Sequence, residues 1–219
     1  MADKVKIPSE KFVYGASDEP GLLEQLSRRW SERTPDYPER KLEGYVPVFV
    51  YGSLREGFMN HHILKGMPFL GRAHTTIEKF EMREASGGAF PVVFEREPKI
   101  KKKRNPVVGK IYGEVYVVDP KTLCTLDRLE NNGRMYQRSL QYVFLQQQRL
   151  RMNSTISPSI KCWMYLGVPE FWSRNGGAVE SVKPKMSNGI QFYDWADVFE
   201  SNWTDREIDE IYPRSYVAQ

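Results

Sequence analysis

The chain has 219 residues, and its 32 basic and 28 acidic side chains give a formal net charge of +4 at pH 7. An apolar fraction of 40% beside 27% charged residues is typical of a globular protein and excludes a largely disordered or fibrous chain. No run reaches the roughly 18 apolar residues of a membrane-spanning helix, and the polar first residues differ from a secretory signal, so we expect a cytoplasmic protein without a membrane partner.

Residues 1–44 are predicted to be an amino-terminal extension that contains one amphipathic helix. In the stretch PGLLEQLSRRW, Leu22, Leu26 and Trp30 recur at helical spacing, and Pro20 marks a helix start.

Residues 45–168 are predicted to form one domain of the α+β class, a small mixed β-barrel with an inserted helix. Short runs rich in Val, Ile, Phe and Tyr indicate strands, in the order VPVFVYG, FPVVFE, GKIYGEVYVV, RSLQYVFLQ and IKCWMYLG. One helix, DPKTLCTLDRLENN, interrupts them, with Asp119 as its expected cap and Pro120 in its first turn. A set of strands wrapped around one helix implies the barrel.

Residues 169–219 are predicted to be an aromatic-rich carboxyl-terminal extension that packs on the barrel. Trp195, Phe199 and Trp203 follow one another at helical spacing, which predicts a stripe that docks on the chain's own core or on another subunit. We favour the chain's own core, and a protein partner or self-association through this segment stays open. Thr204 lies three residues before Glu207, in capping-box register.

The excess positive charge is concentrated in KIKKKR, at residues 99–104. A nuclear address or a phosphate-binding patch would use such a run, but a lysine-rich protruding hairpin is the commoner explanation. A net charge of +4 is also small for a nucleic-acid-binding protein. We therefore expect no nucleic-acid partner.

The cysteines and histidines indicate neither a metal nor a cofactor. Cys124 and Cys162 lie far apart without CxxC spacing, and we expect both to be buried and inert. The chain has three histidines, His61, His62 and His74, and no carboxylate cluster stands at ligand spacing from them. We expect no bound metal.

The first candidate site element is the turn Gly52-Ser53-Leu54, which directly follows the strand VPVFV. Successive backbone N–H groups, with no side chain at the glycine to shield them, form a small cup that suits an oxyanion or a carboxylate. Ser53 lacks the GxSxG context of a nucleophile, so its backbone is the better candidate. Most strand-Gly-Ser turns are only turns, and this motif alone is weak evidence for function.

The second candidate element is Glu130, near the end of the predicted helix. Glu130 falls four residues after Leu126 and seven after Leu123, which places it at the edge of the apolar face. A carboxylate against an apolar wall has a raised pKa, as a general base near neutral pH requires. The alternative is an ordinary glutamate at a helix end, either solvated or paired with Arg134 or Arg138.

The stretches FVYGSLREGFMNHHIL, GEVYVVD and LDRLENNGRMYQR, in this order, resemble the gamma-glutamylcyclotransferase superfamily, most closely its gamma-glutamylamine cyclotransferase branch. The resemblance covers about residues 48–166. It implies a barrel of five to six strands whose mouth holds Glu130 opposite the loop 51–54. In such enzymes the α-amine of a γ-glutamyl group attacks its own side-chain carbonyl and releases 5-oxoproline. Glu130 would be the general acid and base, with no metal or covalent nucleophile.

The resemblance also implies the residues that contact a small γ-glutamyl substrate. The amides of residues 52–54 would hold its anionic end, while Phe90 and Pro91 would form a pocket wall, although an ordinary buried strand explains those two equally well. Arg138 is expected to form a structural pair. The two asparagines after Glu130 depart from the family's usual glycine, which leaves the leaving group open. The predicted substrate-binding residues are Tyr51, Gly52, Ser53, Leu54, Phe90, Pro91 and Tyr136.

A second hypothesis keeps the same barrel but not the reaction. The pocket would bind a small anionic ligand without turnover, and the extensions and the basic loop would contact a macromolecular partner. Glu130 favours the enzyme, because a buried carboxylate would repel an anionic ligand.

Overall fold

The computed structural model of the protein describes residues 44–85, 88–96, 107–146, 159–174 and 180–202. The predicted amino-terminal helix, the KIKKKR run and the predicted capping box at Thr204 lie outside the described residues.

Within the described ranges the elements are mostly strands, and no helix there has the length and apolar character needed to cross a membrane. In chain order they are β1 (Val46–Val50), a 3₁₀ helix (Met59–Leu64), β2 (Phe69–Thr75), β3 (Phe80–Ala85), β4 (Phe90–Glu95), β5 (Lys110–Val118), α1 (Pro120–Leu129), β6 (Tyr136–Leu145), β7 (Ser159–Gly167), α2 (Pro169–Arg174), β8 (Glu180–Ser181), β9 (Lys185–Ser187), β10 (Ile190–Tyr193) and α3 (Trp195–Asn202).

Five strands close into a mixed barrel, which confirms the predicted fold. Their order is β1-β7-β6-β2-β5, and β5 closes the barrel by pairing with β1. β1 and β7 are parallel, with Val48 opposite Trp163, whereas the other four pairs are antiparallel. β10 and β9 extend the sheet from β5, and β4, β3 and β8 form a separate three-stranded sheet.

β1 is buried along its whole length, which explains its unbroken apolar sequence. Phe49 belongs to a core cluster that draws on all five barrel strands. Its neighbours Val48 and Val50 belong to a second cluster, which also contains Leu126 of α1 and Leu64 of the 3₁₀ helix. Because successive strand residues point to opposite faces, a strand that is covered on both faces is apolar at every position.

The inserted helix α1 begins and is capped as predicted. The Thr122 N–H donates to Asp119 Oδ1 at 2.6 Å, and Pro120 occupies the first turn. Cys162 is buried, but the prediction that Cys124 is buried is wrong. Cys124 faces solvent because α1 packs through Leu126, and residue 124 lies about 200° around the helix from it.

The start of the carboxyl-terminal segment packs into the barrel core. Tyr193 and Trp195 are fully buried in the first core cluster, and the Tyr193 hydroxyl donates to the Val107 carbonyl at 2.7 Å. The side chains of Phe199 and Trp203, the rest of the predicted stripe, lie outside the described residues. A domain boundary at residue 168 stays a prediction.

Candidate active site

One cavity of about 270 Å³ is lined by the Gly52-Ser53-Leu54 turn and by Glu130. The turn follows β1, and Glu130 lies directly after α1, so two elements far apart in sequence meet at this cavity. The structure places all eight residues predicted for the site around it: Tyr51, Gly52, Ser53, Leu54, Phe90, Pro91, Glu130 and Tyr136.

Close packing against β4 requires the glycine in the turn. A Cβ at position 52 would lie 2.7 Å from Pro91 Cγ, inside the closest approach of two carbon atoms. The Gly52 carbonyl accepts a hydrogen bond from the Arg55 N–H at 3.0 Å, which closes the turn. The absence of a side chain at Gly52 therefore lets Pro91 pack directly against the turn, where both residues line the cavity.

Two backbone N–H groups of the turn are left for a ligand. Asn60 holds Ser53 from one side: its Nδ2 donates to Ser53 Oγ at 2.9 Å, and its backbone N–H donates to the Ser53 carbonyl at 2.9 Å. In the described part of the chain, by contrast, the N–H groups of Ser53 and Leu54 donate to no protein acceptor. Successive free N–H groups at a turn are suited to an anion.

An ionic cluster, in which Arg55 and Glu114 are buried and Asp194 is partly exposed, lies directly after the turn. Arg55 Nη1 is 2.5 Å from Asp194 Oδ1, and Arg55 Nε is 3.6 Å from Glu114 Oε1. Glu114 Oε2 accepts hydrogen bonds from the Glu56 N–H at 2.9 Å and from the Tyr116 hydroxyl at 3.1 Å. We call these three side chains, Arg55, Glu114 and Asp194, the ionic cluster. It fixes residues 55 and 56 to β5 and to the segment that precedes α3.

Glu130 has a different environment, because its carboxylate lacks a partner. In the described ranges no basic side chain pairs with it and no donor is hydrogen-bonded to it, and its backbone N–H donates to the Leu126 carbonyl at 2.9 Å. It keeps part of its surface accessible in the cavity, yet protein atoms surround it closely. Burial raises the pKa of Glu130 from its ordinary 4.5 to about 7.

The arginines considered as partners of Glu130 are engaged elsewhere. Arg138 Nη1 lies 2.8 Å from Asp127 Oδ2, which confirms the expected structural pair. The Arg134 guanidinium lies 6.0 Å from the centre of the Phe171 ring. The alternative of a charge-paired Glu130 is therefore wrong.

Two tyrosine hydroxyls tie the walls of the cavity together. The Tyr51 hydroxyl donates to the Tyr165 carbonyl at 2.6 Å, and the Tyr136 hydroxyl donates to the Pro91 carbonyl at 3.1 Å. Burial raises both tyrosine pKa values well above 10, and the nearby charge of Glu130 adds to the effect. Both hydroxyls therefore stay protonated at neutral pH.

Asp127 organises the turn that follows Glu130, and the sequence analysis missed it. Its Oδ1 accepts hydrogen bonds from Asn132 Nδ2 at 3.0 Å and from the Tyr165 hydroxyl at 2.8 Å. Asn132 Oδ1 in turn accepts from the Arg138 N–H at 2.9 Å, and Asn131 adopts a positive φ of 48°. The paired asparagines thus fix the chain reversal after Glu130. The helical spacing of Asp127 and Glu130, one turn apart, was the available signal.

No group of three or more His, Cys, Asp or Glu side chains suited to a metal occurs among the described residues. His61 Nδ1 lies 3.2 Å from the Leu54 carbonyl, and His62 Nδ1 lies 2.9 Å from the Met59 carbonyl.

Comparison with known proteins gives consistent matches. Residues 48–195 match the family model described as "Gamma-glutamyl cyclotransferase, AIG2-like". A putative gamma-glutamylcyclotransferase of Methanocaldococcus jannaschii is 36% identical over 119 residues, which cover 54% of this chain and 81% of that protein. Gamma-glutamylaminecyclotransferase of Bos taurus is 37% identical over 108 residues, 46% of this chain and 58% of that protein. The crystal structure of an AIG2-like protein from Mus musculus aligns with 68% of this chain and 95% of its own, with 26% identity and a TM-score of 0.44.

Proposed function

The chain belongs to the gamma-glutamyl cyclotransferase, AIG2-like family of enzymes, and we propose that it releases 5-oxoproline from γ-glutamyl amines with Glu130 as general acid and base. The observation that carries this proposal is that a proton-accepting carboxylate and free hydrogen-bond donors line the same cavity. An unpaired carboxylate with a pKa of about 7 lines the cavity together with the free N–H groups of Ser53 and Leu54.

The proposed reaction is a cyclisation within the substrate. The free α-amine nitrogen attacks the side-chain amide carbon, a C–N bond closes the five-membered ring, and the C–N bond to the leaving amine breaks. One proton moves from the attacking nitrogen to Glu130 and then to the leaving nitrogen, so no water is consumed. A carboxylate with a pKa near 7 suits both transfers, because it accepts and returns a proton with similar ease.

The remaining residues would orient the substrate. The N–H groups of Ser53 and Leu54 would bind the substrate carboxylate, while Pro91 and Tyr136 form the wall that keeps the chain folded back. Because the attack is intramolecular, orientation alone can be equivalent to an effective concentration on the order of 10⁵ M or more.

The charge of the cavity favours a leaving amine that has no carboxylate beside the scissile amide. Among the described lining residues, Glu130 is the one side chain that carries a formal charge, and no lysine or arginine contributes. A leaving group with a carboxylate beside the scissile amide would meet the Glu130 charge without a compensating cation. The bovine relative is likewise named a gamma-glutamylaminecyclotransferase, which supports the same substrate class.

The test is a substrate panel with 5-oxoproline release as the readout. Wild-type protein is incubated with γ-glutamyl-ε-lysine, γ-glutamyl amino acids and glutathione, beside Glu130→Gln and the control Glu170→Gln on α2. We expect release from γ-glutamyl-ε-lysine by wild type and the control, and a loss of about 10²- to 10⁴-fold in Glu130→Gln. Equal rates for wild type and Glu130→Gln would contradict the assignment of Glu130, and faster release from glutathione would contradict the substrate class.

A further inference from the structure

We propose that Met59 and Leu129 form an apolar mouth that binds the alkyl part of the leaving amine and so determines which γ-glutamyl amines are preferred. This inference rests on the proposed function, since it names the part of the substrate that leaves the cavity. Met59 begins the 3₁₀ helix after the substrate-binding turn, and Leu129 ends α1 next to Glu130.

The position of the mouth follows from two properties that Met59 and Leu129 share. Both line the cavity, yet 53% of Met59 and 40% of Leu129 is exposed to solvent. The other apolar lining residues are less exposed: Leu54 is 4% exposed, and Phe90 and Met135 are partly buried. A lining residue that is also exposed lies where the cavity opens, so these two side chains mark its entrance.

Packing in the protein core does not explain why the side chain of Leu129 at the cavity entrance is apolar. Leu129 is the third leucine of the α1 pattern, but Leu126 is fully buried while Leu129 is exposed, so the contribution of α1 to the core ends one turn before Leu129. Large exposed apolar side chains that are grouped together mark binding surfaces rather than random exposure.

The size of the cavity places the leaving group at this mouth. A volume of about 270 Å³ is slightly below the roughly 300–1,000 Å³ of pockets that enclose drug-sized molecules. The γ-glutamyl head must occupy the inner part, because Glu130 and the N–H groups of the turn are the groups that act on it. The substituent on the amide nitrogen therefore extends past Leu129, the direct neighbour of Glu130, and toward Met59.

Burial of the alkyl group at the mouth should increase the affinity by an amount that can be measured for each methylene. Full burial of one methylene in a protein is worth about a fourfold change in affinity, and a groove with walls on two sides removes part of that area from water. We therefore expect the affinity for the amide to increase about two- to fourfold for each methylene of a linear alkyl group, until the chain passes the mouth.

The experiment separates binding from turnover. Monoalkylamides of glutaric acid keep the carboxylate and the amide of the substrate but have no amine to attack, so they cannot cyclise. Their Kd values are measured by titration calorimetry for methyl to hexyl amides with wild type, Met59→Ser, Leu129→Ser and Met186→Ser. Met186 on β9 is a matched control, since it is a 62% exposed apolar residue away from the cavity.

The outcomes are distinct for the two proposals. We expect Kd to decrease with chain length in wild type and Met186→Ser, and the dependence to weaken in Met59→Ser and Leu129→Ser. A Kd that is independent of chain length in wild type, an equal dependence in all four proteins, or no binding of any amide overturns the apolar mouth. If chain-length-dependent binding occurs but no γ-glutamyl alkylamide releases 5-oxoproline, the mouth stands and the proposed catalytic function fails.

Discussion

The molecule contains two glutamates in opposite situations, one in the cavity and one in the ionic cluster. Glu114 is 2% exposed; it forms an ion pair with Arg55 and accepts hydrogen bonds from the Glu56 N–H and the Tyr116 hydroxyl. Glu130 lies against apolar and aromatic walls, and no donor or cation among the described residues pairs with its carboxylate.

The difference shows that the environment of a glutamate determines whether its carboxylate serves as a structural anchor or has a raised pKa. A carboxylate that accepts hydrogen bonds and pairs with a cation anchors the backbone, as Glu114 does for the segment after the turn. A carboxylate that lacks such partners binds its proton more tightly, and the raised pKa of Glu130 is the result. The first arrangement supports stability, whereas the second costs stability and suits the proton transfer that we propose for Glu130.

The largest expected effect on stability is that of replacing Glu114, which anchors the segment after the turn. Glu114→Gln removes the charge that faces Arg55 in the interior, and breaking a buried pair typically costs a few kcal/mol, so we expect the free energy of unfolding to fall by about 3 kcal/mol. Urea denaturation measures it. An unchanged midpoint would mean that Asp194 alone neutralises Arg55. Glu114 would then not stabilise the fold, which would contradict the contrast drawn with Glu130.

Replacing Glu130 should have the opposite effect and increase the stability of the protein at high pH. The folded-state pKa of Glu130 is about 7 and its ordinary pKa is 4.5, so the folded protein loses stability as the pH rises from 4.5 to 7, where only the unfolded chain releases this proton. Glu130→Gln does not ionise, and we expect it to be about 2 kcal/mol more stable than wild type at pH 8.

The comparison at low pH serves as the internal control for that variant. Below pH 4.5 the carboxyl group is protonated in both states, so the two proteins should then unfold at the same urea concentration. A Glu130→Gln variant that is less stable at pH 8 would mean that the carboxylate has favourable contacts.

Enzyme activity should show the same ionisation. In the proposed mechanism Glu130 acts first as a base, so kcat/KM should increase about tenfold between pH 6 and pH 8 with a midpoint near 7, as the carboxylate forms. Initial rates of 5-oxoproline release across this range measure it. The midpoint should be the same in Glu114→Gln, since the ionic cluster does not carry the proton. A midpoint near 4.5 would show that Glu130 is solvated.

The smallest effect concerns the turn after Glu130. Asn132→Ala removes the hydrogen bonds to Asp127 Oδ1 and from the Arg138 N–H, and a net loss of about 1 kcal/mol in unfolding free energy follows. Gln137→Ala, at an exposed neighbouring position, is the control and should unfold like wild type. Equal stability of the two variants would show that the asparagine does not fix the turn.

Features with local causes were predictable from the sequence. The doubly covered β1 has an unbroken apolar run, α1 has a cap at Asp119, and Glu130 stands at the edge of an apolar face. Each of these signals is contained within about ten consecutive residues, so the barrel strands with plain apolar patterns could be identified. The two halves of the candidate site were weak signals alone and were recognised together through the family resemblance.

Features that depend on distant partners could not be predicted. β2 and β3 were missed because charged residues interrupt their patterns, and the burial of Glu81 in β3 is compensated by Arg83 at 2.6 Å and by Arg96 on the adjacent segment. The bond between Arg55 and Asp194 joins residues 139 positions apart, and nothing near either residue indicates it.

That bond also has a consequence for biosynthesis. Asp194 follows Arg55 by 139 residues, so during synthesis Arg55 gains this ion pair only after residue 194 has emerged from the ribosome. A nascent or truncated product that ends before this aspartate would contain Glu130 but would lack the bond between Arg55 and Asp194. The segment after the turn thus depends for its final packing on a residue that is translated well after it.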